Sequence, residues 1–440
     1  MTDPYVPGHG DASYDVLHYD LDLGYKLVGN RLDGDVTLTC IARADLRTVL
    51  VDLAGLRMHK VWVNGRVARA NHRGGRIRID VSAVAGTGFE LRIKYSGRPG
   101  TIDTASLGDA GWEELRDGVI VAAQPHGAPA WFPCNDRPDN KATYTFKMAA
   151  PSDYYVAMSG DLTDEIRRGS TVQWTYQQHT PMAPYLATVQ IGRYTVRELD
   201  ERIRVVGPAN VRGEGYDASF GQQPAMMAFY EGLFGPYPFE SYTAVITDDD
   251  LEIPLESQSL STFGRNFAST DWENIRLVAH ELSHQWFGNA VTAARWQDIW
   301  LHEGFACYAE WLWSEASGRE SADEWATHHH QKLARSRQDL LLADPTPDLM
   351  FDDRVYKRGA LTLHALRCSV GDELFFTILK RWVAEHRGGS VVTADFEALC
   401  LSVVGSSAAS PSAAGTTVAG LQTLFDSWLR SRSLPPLPIS

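Results

Sequence analysis

The spacing of apolar residues changes character partway along this chain of 440 residues. Over roughly the first 200 residues apolar and polar side chains alternate, as in YDVLHYDLDLGYKL and VTLTCIARADL, which predicts strands with one buried face. The pairs Gly29-Asn30 and Asn64-Gly65 separate such runs and indicate turns. After about Phe267 apolar residues recur three and four positions apart, which predicts helices. We therefore expect a multidomain chain: an all-β domain over residues 1–204, then an α+β, mainly helical domain over residues 205–440.

Several segments of the second region have helical periodicity. Thr270 followed by Glu273 has the spacing of a capping box, and a helix is predicted from about Asp271 to Phe287. A second helix is expected from about Asp298 to Gly318. Later helices are predicted in GALTLHALRCSV, ELFFTILKRWVAEH and LQTLFDSWLRS. The stretch 403–420 is rich in Ser, Ala and Gly and is expected to be a mobile loop.

The composition excludes several classes of protein. A hydrophobic content of 44% allows a large core, and a net charge of -14 argues against nucleic acid or anionic membrane as the main partner. No apolar run approaches the ~18 residues of a membrane span, and the N-terminus lacks the regions of a secretory signal. The five cysteines are odd in number, scattered and without a CxxC pair. We therefore expect reduced thiols and a cytoplasmic location.

The segment VAHELSHQWFG carries two histidines four positions apart. On a helix His280 and His284 project from the same face, so both can reach one cation, with Glu281 beside them. Eighteen residues separate His284 from Glu303, and a helix, a turn and a second antiparallel helix fit that interval. The carboxylate of Glu303 can therefore complete the site. Three protein ligands with an open fourth position are typical of a catalytic zinc, and we expect one zinc per chain.

Other polar residues on these helices have less specific interpretations. Glu310, two turns further along the second helix, is either a hydrogen-bond partner of a ligand or a solvated carboxylate. His328, His329 and His330 lie on a polar helical segment and are expected to form a solvated face. His364 is expected to be packed or exposed rather than a ligand.

Beyond the metal motif, long stretches of the sequence resemble the aminopeptidase N family of zinc metallopeptidases, peptidase family M1. HELSHQWFGNAVT and RWQDIWLHEGFACYAEWLW are similar to the zinc segment of that family. SYDVLHYDLDL, QPHGAPAWFPCNDRPDNKATYTF and MAPYLATVQIGRY resemble its N-terminal β domain, and FGPYPFESY and VYKRGALTLHALR its catalytic domain. The resemblance implies a saddle-like β domain and a thermolysin-like, mainly helical catalytic domain. The resemblance further leads us to expect a short form that lacks the family's C-terminal helical domain, with a cleft that is either more open or closed by another subunit or protein.

The resemblance also implies a role for each matching residue. His280, His284 and Glu303 match the zinc ligands, and Glu281 matches the general base. Tyr356, in VYKRGA, stands where the family places a tyrosine that donates to the oxyanion. A phenol O–H directed at developing negative charge helps most in the transition state, which suits that role.

Two more positions match substrate-binding residues of the family. Glu256, in IPLESQSLSTFG, stands at the glutamate that binds the α-ammonium group of the substrate, and Gln124 at a position that lines the site for the first side chain. There are also departures from the family pattern. Ile253 and Pro254 replace the usual Gly and Ala, and Pro129 replaces a common Arg. These departures bear on substrate range and efficiency rather than on the zinc chemistry.

These residues together predict a zinc-dependent aminopeptidase that hydrolyses the first bond of peptides with a free N-terminus, with Glu281 as general base acting on a zinc-activated water. Two alternatives stay open. The first is a weakly active or inactive zinc-binding homologue that serves as a binding module, and intact Glu281 and Tyr356 argue against it. The second is a related hydrolase, an endopeptidase or an epoxide hydrolase, and Glu256 argues against the endopeptidase. The sequence indicates no particular oligomeric state.

Overall fold

The computed structural model of the chain describes residues 3–104, 106–407 and 417–438. The chain forms two compact units, the first made of Met1–Gly213 with Phe239–Asn266 and the second of Glu214–Pro238 with Phe267–Ser440. The N-terminal domain is mostly β-sheet and a helical domain follows it, which confirms the predicted fold class. The predicted boundary after residue 204 stays a prediction.

The first unit consists largely of strands in which buried and less buried residues alternate, as the period-two pattern predicts. Their bounds are β1 (Tyr14–Lys26), β2 (Arg31–Ala42), β3 (Leu46–Asp52), β4 (Arg57–Val63), β5 (Arg66–Val67), β6 (Ala70–Arg73), β7 (Arg76–Ala83), β8 (Gly88–Gly97), β9 (Thr101–Thr104), β10 (Gly108–Leu115), β11 (Gly118–Ala122), β12 (Ala142–Pro151), β13 (Tyr155–Met158), β14 (Asp161–Arg168), β15 (Thr171–Met182), β16 (Val189–Gly192), β17 (Thr195–Glu198), β18 (Ile203–Gly207), β19 (Tyr242–Ile246), β20 (Leu255–Ser257) and β21 (Leu260–Phe263).

Hydrogen bonds join these strands into four sheets among the described residues. The largest has the order β14-β15-β12-β1-β2-β8-β4-β5, and the others are β13-β16-β11-β10-β9, β3-β7-β6 and β17-β18-β19-β21-β20. In the last sheet β19 pairs in parallel with β18, which ties the segment after residue 239 to the first unit. The hairpin of β20 and β21 then pairs Glu256 with Ser261, so a predicted substrate-binding residue lies on an ordered strand.

The second unit is mainly helical, as predicted. Its helices are α1 (Glu214–Ala218), α2 (Gln223–Phe234), α3 (Trp272–Ser283), α4 (Trp300–Ala316), α5 (Ala322–Ala334), α6 (Asp353–Val370), α7 (Asp372–His386), α8 (Thr393–Ser407) and α9 (Val418–Arg430), and its short parallel strands are β22 (Thr292–Ala293) and β23 (Ser390–Val391). Within the described ranges no helix is both long and apolar enough to cross a membrane. All five cysteines carry free thiols, which agrees with the expectation of reduced cysteines.

The start of α3 differs from the prediction. Asp271 occupies the N-cap position and makes no side-chain cap hydrogen bond, so the predicted capping box of Thr270 and Glu273 is wrong. The helix begins one residue too late for that box, and Glu273 instead accepts a hydrogen bond from Arg276 at 2.8 Å. The apolar positions on which the helix was predicted are buried, and they are Ile275, Val278, Ala279 and Leu282.

The predicted loop 403–420 is wrong at both of its ends. Helix α8 continues to Ser407 because Val403 and Val404 are buried in the second unit. Helix α9 begins at Val418, where the side chain of Thr417 accepts a hydrogen bond from the Gly420 N–H and caps the helix. Residues 408–416 lie outside the described residues.

Helices α4 and α6 approach each other closely at two glycines. A Cβ atom added to Gly304 would lie 2.7 Å from Cα of Gly359, and one added to Gly359 would lie 2.6 Å from Cα of Gly304. Real Cβ atoms do not approach backbone so closely, so only glycine allows this crossing. Because Glu303 lies on α4 and Tyr356 on α6, the crossing fixes the distance between two predicted site residues.

Replacing Gly304 by Ala is therefore expected to destabilise the protein by about 1–3 kcal/mol, since the added methyl group must push the two helices apart. Thermal unfolding followed by circular dichroism measures the effect as a lowered midpoint. Gly232→Ala is the matched control, because Gly232 also lies in a helix but has open space around it. The control is expected to keep or slightly raise the midpoint, and equal midpoints for both variants would contradict the steric explanation.

Candidate metal centre

The three predicted ligands come together in the second unit. His280 lies in the last turn of α3, His284 directly follows this helix, and Glu303 lies in the first turn of α4. Nε2 of His280 and Nε2 of His284 lie 3.4 and 3.5 Å from the same oxygen, Oε2 of Glu303. The three residues are 5%, 1% and 2% exposed. The sequence thus places three donor atoms around one buried point.

The spacing of these donor atoms fits a zinc ion. Ligand atoms about 2.0–2.1 Å from a tetrahedral ion lie about 3.3–3.4 Å from one another, close to the observed separations of 3.4 and 3.5 Å between the imidazole nitrogens and the carboxylate oxygen. Two imidazoles and one carboxylate are also a common donor set of catalytic zinc. The residues present therefore fit a zinc ion with a fourth position left for a small ligand.

The other nitrogen of each imidazole fixes the orientation of its ring. Nδ1 of His284 lies 2.9 Å from the backbone oxygen of Phe287, which only accepts, so in the neutral ring Nδ1 carries the proton and Nε2 keeps its lone pair. Nδ1 of His280 lies 2.7 Å from Oε1 of Glu310 and donates in the same way. Of the two interpretations of Glu310, the hydrogen-bond partner of a ligand is the one observed.

The electrostatics of the site favour a positive charge between the ligands. Burial disfavours the charged ring of His280, but the carboxylates of Glu303 and Glu310 outweigh burial and raise its pKa to about 9. Burial raises the pKa of Glu303, but the two histidines hold it well below its usual range. A metal cation that replaces the proton of His280 is stabilised by the same carboxylates, so binding of the metal releases a proton.

Two cations behind Glu310 were missed by sequence reasoning. Nη1 of Arg276 lies 3.0 Å from Oε2 of Glu310. Burial opposes the charge of Glu310, but the Lys357 and Arg276 cations outweigh it and hold the pKa of this carboxyl well below its usual range. The available signal was spacing, since Arg276 precedes His280 by one helical turn and therefore lies on the same face. Lys357, the second cation, directly follows Tyr356 in the sequence.

Replacing Glu310 by Gln is expected to weaken zinc binding about 10–100-fold, because the amide supports the ring of His280 less well than the carboxylate does. A competition titration of the purified protein against a chelator measures the zinc dissociation constant. Glu273→Gln is the matched control, since Glu273 contacts Arg276 as well but is exposed. Equal zinc affinities in the two variants would contradict the supporting role of Glu310.

The two predicted catalytic residues lie beside these ligands. Glu281 is buried, and one of its carboxylate oxygens lies within 4.8 Å of a ring nitrogen of His284. The half-buried ring of Tyr356 stacks near that of His280, with 6.1 Å between the ring centroids and 20° between the planes. The second unit therefore gathers five of the seven predicted site residues.

The remaining two predicted site residues lie together in the first unit. Nε2 of Gln124 donates to Oε1 of Glu256 at 2.6 Å. Glu256 is only 6% exposed, which excludes the alternative of an ordinary solvent-exposed carboxylate. Ile253, at a position where the sequence departs from the family pattern, is 69% exposed.

The histidine tract is only partly as expected. His328 is exposed, and Nε2 of His330 lies 2.8 Å from the backbone oxygen of Pro435. The prediction of a solvated face is wrong for His329, which is buried and whose ring stacks against two indole rings. His364 is buried and packed near Tyr308, as expected.

Comparisons with known proteins agree with this fold. The model of the peptidase M1 N-terminal domain matches residues 16–186, and that of the peptidase family M1 domain matches residues 219–428. The M1 zinc metallopeptidase of Deinococcus radiodurans is 31% identical in sequence, and its structure matches over 100% of both chains with a TM-score of 0.86.

A second structure of the same peptidase and one further relative are informative. A structure of a mutant of the Deinococcus radiodurans peptidase bound to a Tyr-Ser-Ala substrate is 30% identical and matches over 100% of both chains with a TM-score of 0.87. Leucine aminopeptidase 2 of Ajellomyces capsulatus (strain NAm1 / WU24) is 24% identical over 464 residues, which covers 98% of this chain and 71% of the relative.

The β domain, the helical domain and the buried His, His and Glu donor set define a zinc-dependent hydrolase of peptide bonds. The chain belongs to peptidase family M1.

Proposed function

We propose that this protein removes the first residue of peptides that have a free N-terminus, with one zinc ion per chain held by His280, His284 and Glu303. The observation that carries the proposal is the spacing of their donor atoms, 3.4 and 3.5 Å across a buried point, with Glu281 alongside. The peptide seen on the similar Deinococcus radiodurans enzyme and the aminopeptidase names of other relatives support this substrate class.

Each catalytic residue has one task in this proposal. When bound, zinc would supply a Lewis acid that lowers the pKa of a water molecule, so that a nucleophile is available at neutral pH, and that polarises the scissile carbonyl. Glu281 accepts the proton of the attacking water and later gives it to the leaving amine, the work of a general base and acid. Tyr356 donates its phenol proton in a hydrogen bond to the oxygen on which negative charge develops.

Recognition of the free N-terminus is the task of Glu256. An ammonium group needs a fixed anion, and Glu256 is buried on β20 and held by the amide of Gln124 at 2.6 Å. That amide donates to one carboxylate oxygen, which orients the carboxylate toward its ligand. A carboxylate held in this way favours a substrate with a free amine over one whose amine is acylated.

Replacing Glu256 by Ala is expected to lower kcat/KM for aminoacyl-arylamides about 10–100-fold, the value of one hydrogen bond to a charged group. A substrate that lacks the α-amine but is otherwise identical serves as the internal control and is expected to react at the same low rate in both proteins. Glu256→Gln, which keeps the shape of the side chain, separates loss of charge from loss of packing. An unchanged preference for the free amine in both variants would contradict the proposed anchor.

Location and other partners are proposed from the sequence. The reduced cysteines favour a cytoplasmic protein. The net charge of -14 favours peptides over nucleic acid or an anionic membrane surface as partners.

A further inference from the structure

A cavity of about 180 Å³ lies among α3, α4, α5 and α6 in the second unit. Its apolar wall consists of the indole rings of Trp272, Trp311 and Trp325 and the imidazole of His329. The imidazole stacks on Trp311 with 5.3 Å between centroids and on Trp325 with 5.6 Å, at 6° and 18°. We call this cavity the tryptophan pocket.

The lining of the tryptophan pocket also carries charges of both signs. Its charged lining residues are Arg276, Lys332, Lys357, Glu273, Glu310 and Asp353. Cations and carboxylates lie side by side, since Arg276 contacts Glu310 at 3.0 Å and Lys332 contacts Asp353 at 3.2 Å. A ligand with a single charge would meet a like charge as well as an opposite one, whereas a zwitterion can meet an opposite charge at each end.

Two polar atoms in the lining of the tryptophan pocket have no hydrogen-bond partner in the described part of the chain. They are Nδ1 of His329, a residue 9% exposed, and Nε1 of Trp272. Buried polar atoms normally have partners, so each such atom calls for an explanation. Burial lowers the pKa of His329 to about 3, which makes the ring neutral, with one donor and one acceptor nitrogen. The neutral ring packs against the indole rings without the cost of burying a charge.

The tryptophan pocket is separate from the point where the metal ligands converge. Its wall includes Glu310, which contacts Nδ1 of His280, whereas Nε2 of the same ring is the nitrogen near Glu303. These two nitrogens lie on opposite sides of the imidazole. A molecule in the pocket is thus behind the ligand His280 and away from the reacting atoms.

We propose that the tryptophan pocket binds one free α-amino acid with an aromatic or aliphatic side chain. The indole rings would contact the side chain, and the charged lining residues would pair with the ammonium and carboxylate groups. The volume holds roughly six water molecules at about 30 Å³ each and is smaller than the ~300–1,000 Å³ of sites for drug-sized ligands, which favours one amino acid over a longer peptide. That such an amino acid is a product of the enzyme rests on the proposed function, whereas the pocket itself does not.

Calorimetric titration of the zinc-loaded protein with L-phenylalanine tests this site. The active site is first saturated with acetohydroxamate, which chelates the metal but lacks the ammonium group and side chain that the tryptophan pocket would recognise. One equivalent of L-phenylalanine per chain is then still expected to bind. Phenethylamine, which lacks the carboxylate, and 3-phenylpropionate, which lacks the ammonium group, are each expected to bind at least about tenfold more weakly. No binding of L-phenylalanine, or equal binding of the three compounds, would overturn the proposal.

Two variants locate the bound amino acid. Trp325→Ala removes one side of the indole wall, and Lys332→Met removes an exposed cation at little risk to folding. Each is expected to weaken L-phenylalanine binding at least about tenfold and to leave peptidase activity unchanged. Unchanged binding in Lys332→Met together with unchanged binding in a folded Trp325→Ala would overturn the assignment to this pocket. Hydrolysis of aminoacyl-arylamides is measured on the same samples, so loss of the site and failure of the proposed function are distinguished.

Discussion

Replacing Glu281 by Gln is expected to lower kcat about 10²–10⁴-fold while one zinc per chain stays bound. The amide keeps the size of the side chain but cannot accept the proton of the attacking water, and general base catalysis contributes a factor of this order. Glu281 is not among the three residues whose donor atoms surround the metal position, so metal content is expected to be unchanged.

Steady-state kinetics with aminoacyl-arylamides and elemental analysis of the same samples measure both quantities for Glu281→Gln. Glu273→Gln is the matched control, because it makes the same chemical change on the same helix at an exposed position. The control is expected to keep the wild-type kcat. A wild-type rate in Glu281→Gln with zinc bound would show that another group accepts the proton.

Replacing Tyr356 by Phe is expected to lower kcat about 10²–10³-fold with a smaller change in KM. The substitution removes only the hydroxyl group, whose hydrogen bond is needed when negative charge develops on the carbonyl oxygen, and loss of one such donor has an effect of this order. The stacking of the ring near His280 is kept, so the metal site is expected to stay intact.

A second tyrosine in the same unit provides the comparison for Tyr356→Phe. Tyr308→Phe removes a buried hydroxyl on α4 that lies near His364 rather than among the metal ligands. This variant is expected to change kcat only a few-fold. If both variants lost activity equally, the loss would reflect general packing of the helices, and the specific role of the Tyr356 hydroxyl would be contradicted.

The fold and most of the site follow from local sequence patterns. Period-two and helical patterns each report which face of a strand or helix is buried, so they predicted β-sheet followed by helices. The ligands on α3 were readable because His280 and His284 are one turn apart on one helix. Glu303 required only a helix, a turn and a second helix, which the structure shows as α3 and α4.

Other features depend on contacts between segments that are distant in sequence. Lys357 acts on Glu310 only because α6 packs against α4, and no spacing along the chain predicts that approach. The close crossing at Gly304 and Gly359 could not be predicted either, since a glycine in a helical pattern indicates only a residue of low helix propensity. His329 looked solvated because its neighbours along the chain are polar, yet two indole rings cover it.

A zinc-dependent aminopeptidase requires both its metal and a free N-terminus on the substrate, and one comparison tests both requirements. Hydrolysis of a set of peptides is measured with free and with N-acetylated N-termini, before and after removal of metal by a chelator and after return of one equivalent of zinc. We expect release of only the first residue, from free N-termini alone, with activity lost on chelation and restored by zinc. Cleavage of N-acetylated peptides or of internal bonds at a comparable rate would contradict an aminopeptidase. Activity that survives full removal of the metal would contradict zinc dependence.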